Sequence, residues 1–138
     1  MTLEQLAGTL PNGFHDTEIS AIHVDYANRR VTIEAAVWIG DMDEREAPTE
    51  AYRNAEVVLD GLHFLSMEPP DPRESYAKDD LLRVDLTDGP KPGRVPAADK
   101  MPAGCFAAGF FVMNRNAFVW VVAREASMRW RGELYDRG

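Results

Sequence analysis

The sequence predicts a mainly β protein, a β-rich α+β fold in which an antiparallel sandwich or partly open barrel carries a short N-terminal helix. Two observations predict it. Apolar residues recur with a period of two through much of the chain, and clusters of Gly, Pro and Asn punctuate those runs. One clear helical pattern is present, at the start. The length of 138 residues suits a single domain spanning residues 1–138, and a chain of about 150 residues buries roughly 68–70% of its unfolded surface. Such a core needs no disulfide or metal to hold it.

The helix is predicted from Thr2 and Gln5, which have the spacing of a capping box. Glu4 places negative charge in the first turn, Leu3, Leu6 and Ala7 form the apolar stripe, and Gly8 followed by Pro11 ends it. A hairpin follows. In residues 19–26, Ile22, Val24 and Tyr26 alternate with His23 and Asp25. In residues 31–39, Val31, Ile33, Ala35, Val37 and Ile39 share one face, with Thr32, Glu34, Ala36 and Trp38 on the other. The turn is residues 27–30, where Asn28 is suited to a left-handed backbone.

An acidic loop is predicted over 40–48. A third strand carries Ala55, Val57 and Leu59, and a fourth run covers 62–67. Gly61 between them is consistent with one bent strand. Pro69, Pro70 and Pro72 end that run. Val84 and Leu86 mark a short strand, and residues 88–102 read as a loop. Residues 105–113 and 117–123 are two nearly continuous apolar runs joined at Asn114-Arg115-Asn116, a hairpin buried on both faces. Met128, Trp130 and Leu134 then alternate with Ser127, Arg129, Arg131 and Glu133 in a last strand with one wet face.

Charge narrows the partners. Net charge is −8, and residues 40–90 hold fourteen acids against five bases, a balance of −9. This repels phosphate backbones and anionic lipids, so neither nucleic acid nor membrane is expected as a partner; a protein with a basic surface is. No apolar run approaches the roughly 20 residues of a spanning helix. The first residues lack the basic start and apolar run of a secretory signal, and a lone Cys suits a reducing compartment, so cytoplasm is expected.

Few residues can carry chemistry. His15 and Asp16 are neighbours able to orient an imidazole or supply two ligands, although turn capping explains Asp16 as well. His23 and His63 lie within strand patterns with no metal-ligand spacing, so no metal and no cofactor is expected. Cys105 opens an apolar run and reads as core packing. Asp41, Asp43, Glu44 and Glu46 begin like a calcium loop, but its sixth position is Glu46 where glycine is needed and its twelfth is Tyr52 where glutamate is needed. A solvated charge run explains that loop; if it binds anything, Asp41 and Asp43 would meet a basic patch on a protein. No nucleophile elbow, phosphate loop or dinucleotide fingerprint occurs, so no catalytic residue is assigned. Trp38, beside the acidic loop on a mixed face, is a candidate contact residue or is covered by the N-terminal helix.

The stretch from Phe14-His15-Asp16 through Ile19, Ile22, Val24, Asp25 and Tyr26, with the strand that follows, resembles the opening of small uncharacterised bacterial β-rich domains. Some of these are thought to act as toxin-immunity proteins. The resemblance covers about 25 residues, a length many hairpins share, implies a binding role and assigns no catalytic residue. Two functional readings follow. One is a non-catalytic interaction module, immunity-like or self-associating. The other is a small-ligand binder or enzyme with a pocket inside the sandwich or barrel, with His15, Asp16 or His63 at its mouth. An interior filled by Phe106, Phe110, Phe111, Phe118 and Trp120 would leave that pocket no room. A homodimer is expected as well, because one short helix is too little to cover an apolar sheet.

Overall fold

A computed structural model describes residues 1–40, 51–73, 81–87, 101–133 and 135–136. Among these residues nine antiparallel strands follow one helix: α1 (Leu3–Ala7), β1 (Thr17–Asp25), β2 (Arg30–Trp38), β3 (Ala51–Asp60), β4 (Phe64–Met67), β5 (Leu82–Thr87), β6 (Phe106–Val112), β7 (Ala117–Ala123), β8 (Glu125–Trp130) and β9 (Tyr135–Asp136). The predicted β-rich class with one short helix is what the chain forms.

The capping box of α1 is present in both directions. The Gln5 backbone N–H donates to Thr2 Oγ1 at 3.0 Å, and the Thr2 N–H donates to Gln5 Oε1 at 2.8 Å. Leu3 and Leu6 enter the main core beside strands β6 and β8. The first hairpin also forms, but its left-handed residue is Arg29 (φ 52°), where Asn28 was expected. Asp25 accounts for the difference. Its carboxylate accepts from the Asn28 backbone N–H at 3.1 Å and from Asn28 Nδ2 at 2.8 Å, which fixes Asn28 and leaves Arg29 to reverse the chain.

The hydrogen-bonded order is β4-β7-β6-β5-β1-β2-β3-β8, with β9 beside β3. Strands β3 and β4 are consecutive in the chain yet pair at opposite ends of this order, and so do β7 and β8. Each pair is one ribbon bent at a corner. Gly61 turns the first with φ +65°, and Arg124 separates the second. Two backbone bonds tie the corners together, the Arg124 N–H to the Asp60 carbonyl at 3.0 Å and the His63 N–H to the Val122 carbonyl at 2.8 Å. The sheet is thereby curled, open at its β4 and β8 edges, with its apolar face inside.

That inner face is one continuous cluster containing Ile19, Val31, Ile33, Val37, Val57, Leu59, Val84, Phe110, Val112, Val119 and Val121. Each fully buried side chain of this size stabilises the fold by about 1.5–3 kcal/mol. The curl covers its own apolar face, so the reason for expecting a second subunit over it does not apply. A bulge between Ile19 and Ala21 reverses the alternation of β1. Thr17 and Ile19 point inward before it, and Ile22 and Val24 pack on the core after it.

Of the five rings whose packing inside would leave a pocket no room, two face inward. Phe106 and Phe110 do, but Phe111, Phe118 and Trp120 alternate with core residues and occupy the opposite face of β6 and β7. Strands apolar on both faces carry no parity signal, so the sequence did not say which of these rings fill the interior. Trp120 stacks on Phe118 with centroids 4.7 Å apart and planes 6° from parallel, lying flat over its cross-strand partner Gly109. A Cβ at Gly109 would meet that indole at 2.3 Å. Gly109→Ala is therefore expected to destabilise the fold by about 1–3 kcal/mol through displacement of the ring, measured by urea denaturation. An unchanged midpoint would contradict this packing.

Candidate functional site

The polar residues gather on the outside of the curl, at the loop before β1 and across β1–β2–β3. The loop is pinned from beneath by Phe14, which is 3% exposed and meets Phe110 edge-on at 5.9 Å. With Phe14 buried, His15 and Asp16 turn outward, and Asp16 adopts φ 52°. Asn12 Nδ2 donates to the Gly40 carbonyl at 2.6 Å, tying the loop to the residues after β2.

His15 Nδ1 lies 2.6 Å from Asp85 Oδ1. An ionised carboxylate only accepts, so Nδ1 carries the proton. The Asp16 backbone N–H reaches the same oxygen at 3.3 Å, and His15 Nε2 lies 3.4 Å from Asp16 Oδ2. The imidazole edge rests on Trp38, with centroids 5.8 Å apart. This corner holds an oriented histidine between two part-exposed carboxylates. Its polar partners are those carboxylates, with no hydroxyl or thiol hydrogen-bonded to the ring among the described residues.

Three of the six predicted site residues, His15, Asp16 and Trp38, thus converge. His63 does not. It lies in the β3–β4 link at the other end of β2, exposed and edge-on to Phe64. Asp41 and Asp43 lie outside the described residues. Asp85 was missed, since nothing in sequence spacing links it to a residue seventy positions earlier. Trp38 is covered not by the helix but by a small outer cluster with Ala36 and Tyr52, against which Tyr135 packs. Cys105, expected in the core, is half-buried just before β6.

Beyond that aromatic cluster an open groove of about 290 Å³ runs over β1, β2 and β3. Register explains it. Ala36 faces outward between its cross-strand partners Glu18 and Asn54, so a small residue stands in a row of longer ones. Glu18, Ser20, Glu34, Asn54, Arg131 and Tyr135 stand round the hollow. Glu18 is 8% exposed and meets its cross-strand partner Arg83 at 3.8 Å. The bulge residue Ser20 donates its hydroxyl to the Glu34 carbonyl at 3.2 Å. The Glu34 carboxylate stands 3.4 Å from His23 Nε2.

Glu34 and Glu56 are directly opposite across β2 and β3, a like-charge pair that costs stability on its own. Arg129 at 3.0 Å and Arg131 both hold Glu56 and offset the repulsion. The hydrogen bond from Arg131 is the main cause that holds the Glu56 carboxyl below the ordinary glutamate range; burial opposes it, and the Arg129 charge assists.

By contrast the interior offers little room. The space between Phe14, Ile33 and Phe110 is about 10 Å³ and is lined by apolar surface. A water molecule needs about that volume and two or more polar partners; the buried Thr17 hydroxyl beside it has no hydrogen-bond partner among the described residues. Among the described residues no group of three or more His, Cys, Asp or Glu is placed to hold a metal ion. None of their helices is long and apolar enough to cross a membrane. No family model, curated protein or solved structure matches the chain.

Two outcomes are expected. In the wild type, nitrogen-15 spectra should show His15 protonated at Nδ1, and Asp85→Ala should release the ring to the other tautomer; identical spectra would refute the Asp85 contact. Because the folded-state pKa of Glu56 is depressed, its contribution is complete above the ordinary value of 4.5 and is lost as pH falls through the folded-state value. Wild-type stability should therefore fall more steeply below that pH than Glu56→Gln stability does, and parallel curves would remove the Arg131 contact from the account.

Proposed function

We propose that the chain is a non-catalytic protein-interaction module, immunity-like in its mode of action, whose outer β1–β2–β3 face meets a basic partner. The observation that carries this reading is the contrast between a filled interior and an open, carboxylate-bearing groove outside. Small-molecule sites in curled sheets occupy the interior or its mouth, and here that volume holds Phe14, Ile33 and Phe110. The outer face instead presents Asp16, Asp85 and Glu34 beside Tyr135, with the buried Trp38 and Tyr52 beneath it; aromatic groups are enriched at protein contacts, and the carboxylates suit a basic partner.

Charge also favours an encounter with a basic surface, since the chain carries −8 overall. Self-association through the β4 edge is a subsidiary part of the proposal, because an open edge presents unpaired backbone groups, whereas the β8 edge is partly occupied by Met1, whose carbonyl accepts from the Ala126 N–H at 2.8 Å.

Selection from a displayed random-peptide library tests the reading. Enriched peptides should be rich in Lys and Arg, should lose affinity as salt rises, and should bind at least about tenfold more weakly to Asp16→Lys/Glu34→Lys, a change equivalent to about 1.4 kcal/mol. Enrichment of neutral or acidic peptides, or of none, would overturn it.

A further inference from the structure

We infer that the open edge of β4 joins a second copy of this chain, strand to antiparallel strand, about a two-fold axis at Ser66. The inference rests on the self-association part of the proposed function and gives it a register.

Hydrogen bonding in β4 leaves two of its residues facing out. The strand pairs β7 with Phe64 opposite Val122 and Ser66 opposite Trp120. In step with those pairs, the Glu68 N–H donates to the Phe118 carbonyl at 2.9 Å. An antiparallel strand gives the backbone groups of alternate residues to one neighbour, so Phe64 and Ser66 turn theirs to β7 while Leu65 and Met67 aim theirs away from it. No other described segment bonds to the main chain of Leu65 or Met67. Met67 is 53% exposed.

Those outward groups select one register. With Leu65 opposite Met67 of the second copy, every outward N–H and C=O of both strands is paired. Sliding by one pleat sets Met67 against His63, whose N–H is already given to the Val122 carbonyl at 2.8 Å. Sliding the other way sets Leu65 against Pro69, which has no N–H. In the favoured register Ser66 faces its own counterpart. Leu65 packs against the core, so its pairing with Met67 carries the apolar inner side across the junction.

Charge points to a second copy as the occupant. Residues 61–67 contain no Asp, Glu, Lys or Arg. The next charge, Glu68, accepts from the Phe118 N–H at 3.0 Å. A basic strand would find no free carboxylate along this edge, whereas two copies of a chain of net charge −8 meet there without setting like charges opposite each other. The assembly also closes, because the pairing consumes the β4 edge of both copies and Met1 partly takes the β8 edge. With β4 only 4 residues long and Pro69 beyond it, the contact is smaller than the roughly 1,200 Å² of a standard interface, and the dimer is weak and reversible.

Sedimentation of the full chain should show a monomer–dimer equilibrium that fills toward about 1 mM, as for a weak contact, with no larger species. Met67→Lys should leave the chain monomeric at the same concentration with an unchanged melting temperature. Ser66→Cys in a Cys105→Ser background sets one thiol against its counterpart, with Cα atoms about 4.5 Å apart, within the span a disulfide bridges. Under oxidised glutathione this chain should form a covalent dimer several-fold faster than His23→Cys in the same background, whose thiol would stand exposed on β1. A wild-type dimer that Met67→Lys removes but Ser66→Cys does not trap would overturn the register and leave self-association at β4 standing. A wild type monomeric at every concentration would overturn both, while the basic-peptide selection would still decide the β1–β2–β3 face.

Discussion

The fold depends on one corner. Where β3 passes into β4 and β7 into β8, the chain must turn two paired strands together without losing their hydrogen bonds. The left-handed backbone of Gly61 permits the turn, and the bonds from Arg124 to Asp60 and from His63 to Val122 carry the pairing through it. A Cβ at Gly61 would lie 2.8 Å from the Arg124 side chain, so the close approach of the two ribbons also requires glycine there. Without the corner this would be a broad sheet with one apolar face open to water. With it, that face is wrapped around itself and sealed by Leu3, Leu6, Leu10 and Phe14.

Wrapping the core also sets where function can reside. Among the described residues the interior is packed with Val, Ile, Leu and Phe, and the polar side chains lie mainly on the outer surface, where register decides which of them meet. Glu18 meets Ala36 and Arg83, Glu34 meets Glu56, and Glu56 meets Arg129. The result is a row of charges across five strands, with carboxylates on β1, β2 and β3 flanked by arginines on β5 and β8, and interrupted at Ala36. The histidine corner lies past the aromatic trio of Trp38, Tyr52 and Tyr135, so both polar features flank one apolar patch.

Much of this was legible in the sequence because it is local. The Thr2–Gln5 box, the β1–β2 hairpin, the β6–β7 hairpin at Asn114–Asn116 and the stop at Pro69 each depend on residues a few positions apart. The pairing of His15 with Asp85 depends on β1 lying beside β5, and no short-range pattern encodes that. The outward rings of Phe111, Phe118 and Trp120 escaped for another reason. Alternation reports which residues share a face, and when both faces are apolar it does not say which one is inside. Gly61 was read as a bend, but only the completed pairing tells how far the chain travels after it.

The extra residue in β1 has a wider effect than its size suggests. Up to Ile19 the strand answers to the packing of Phe14, Thr17 and Val84; from Ala21 onward it follows β2 with opposite parity. Ser20 is the joint between two independently registered segments, and its hydroxyl clasps the neighbouring strand where the phases change. Removing that joint would force a choice, either Glu18 into the hydrocarbon interior or Ile22 and Val24 out into water. The kink that lets both segments keep their oily side chains dry is thus the same irregularity that leaves a carboxylate standing over Ala36.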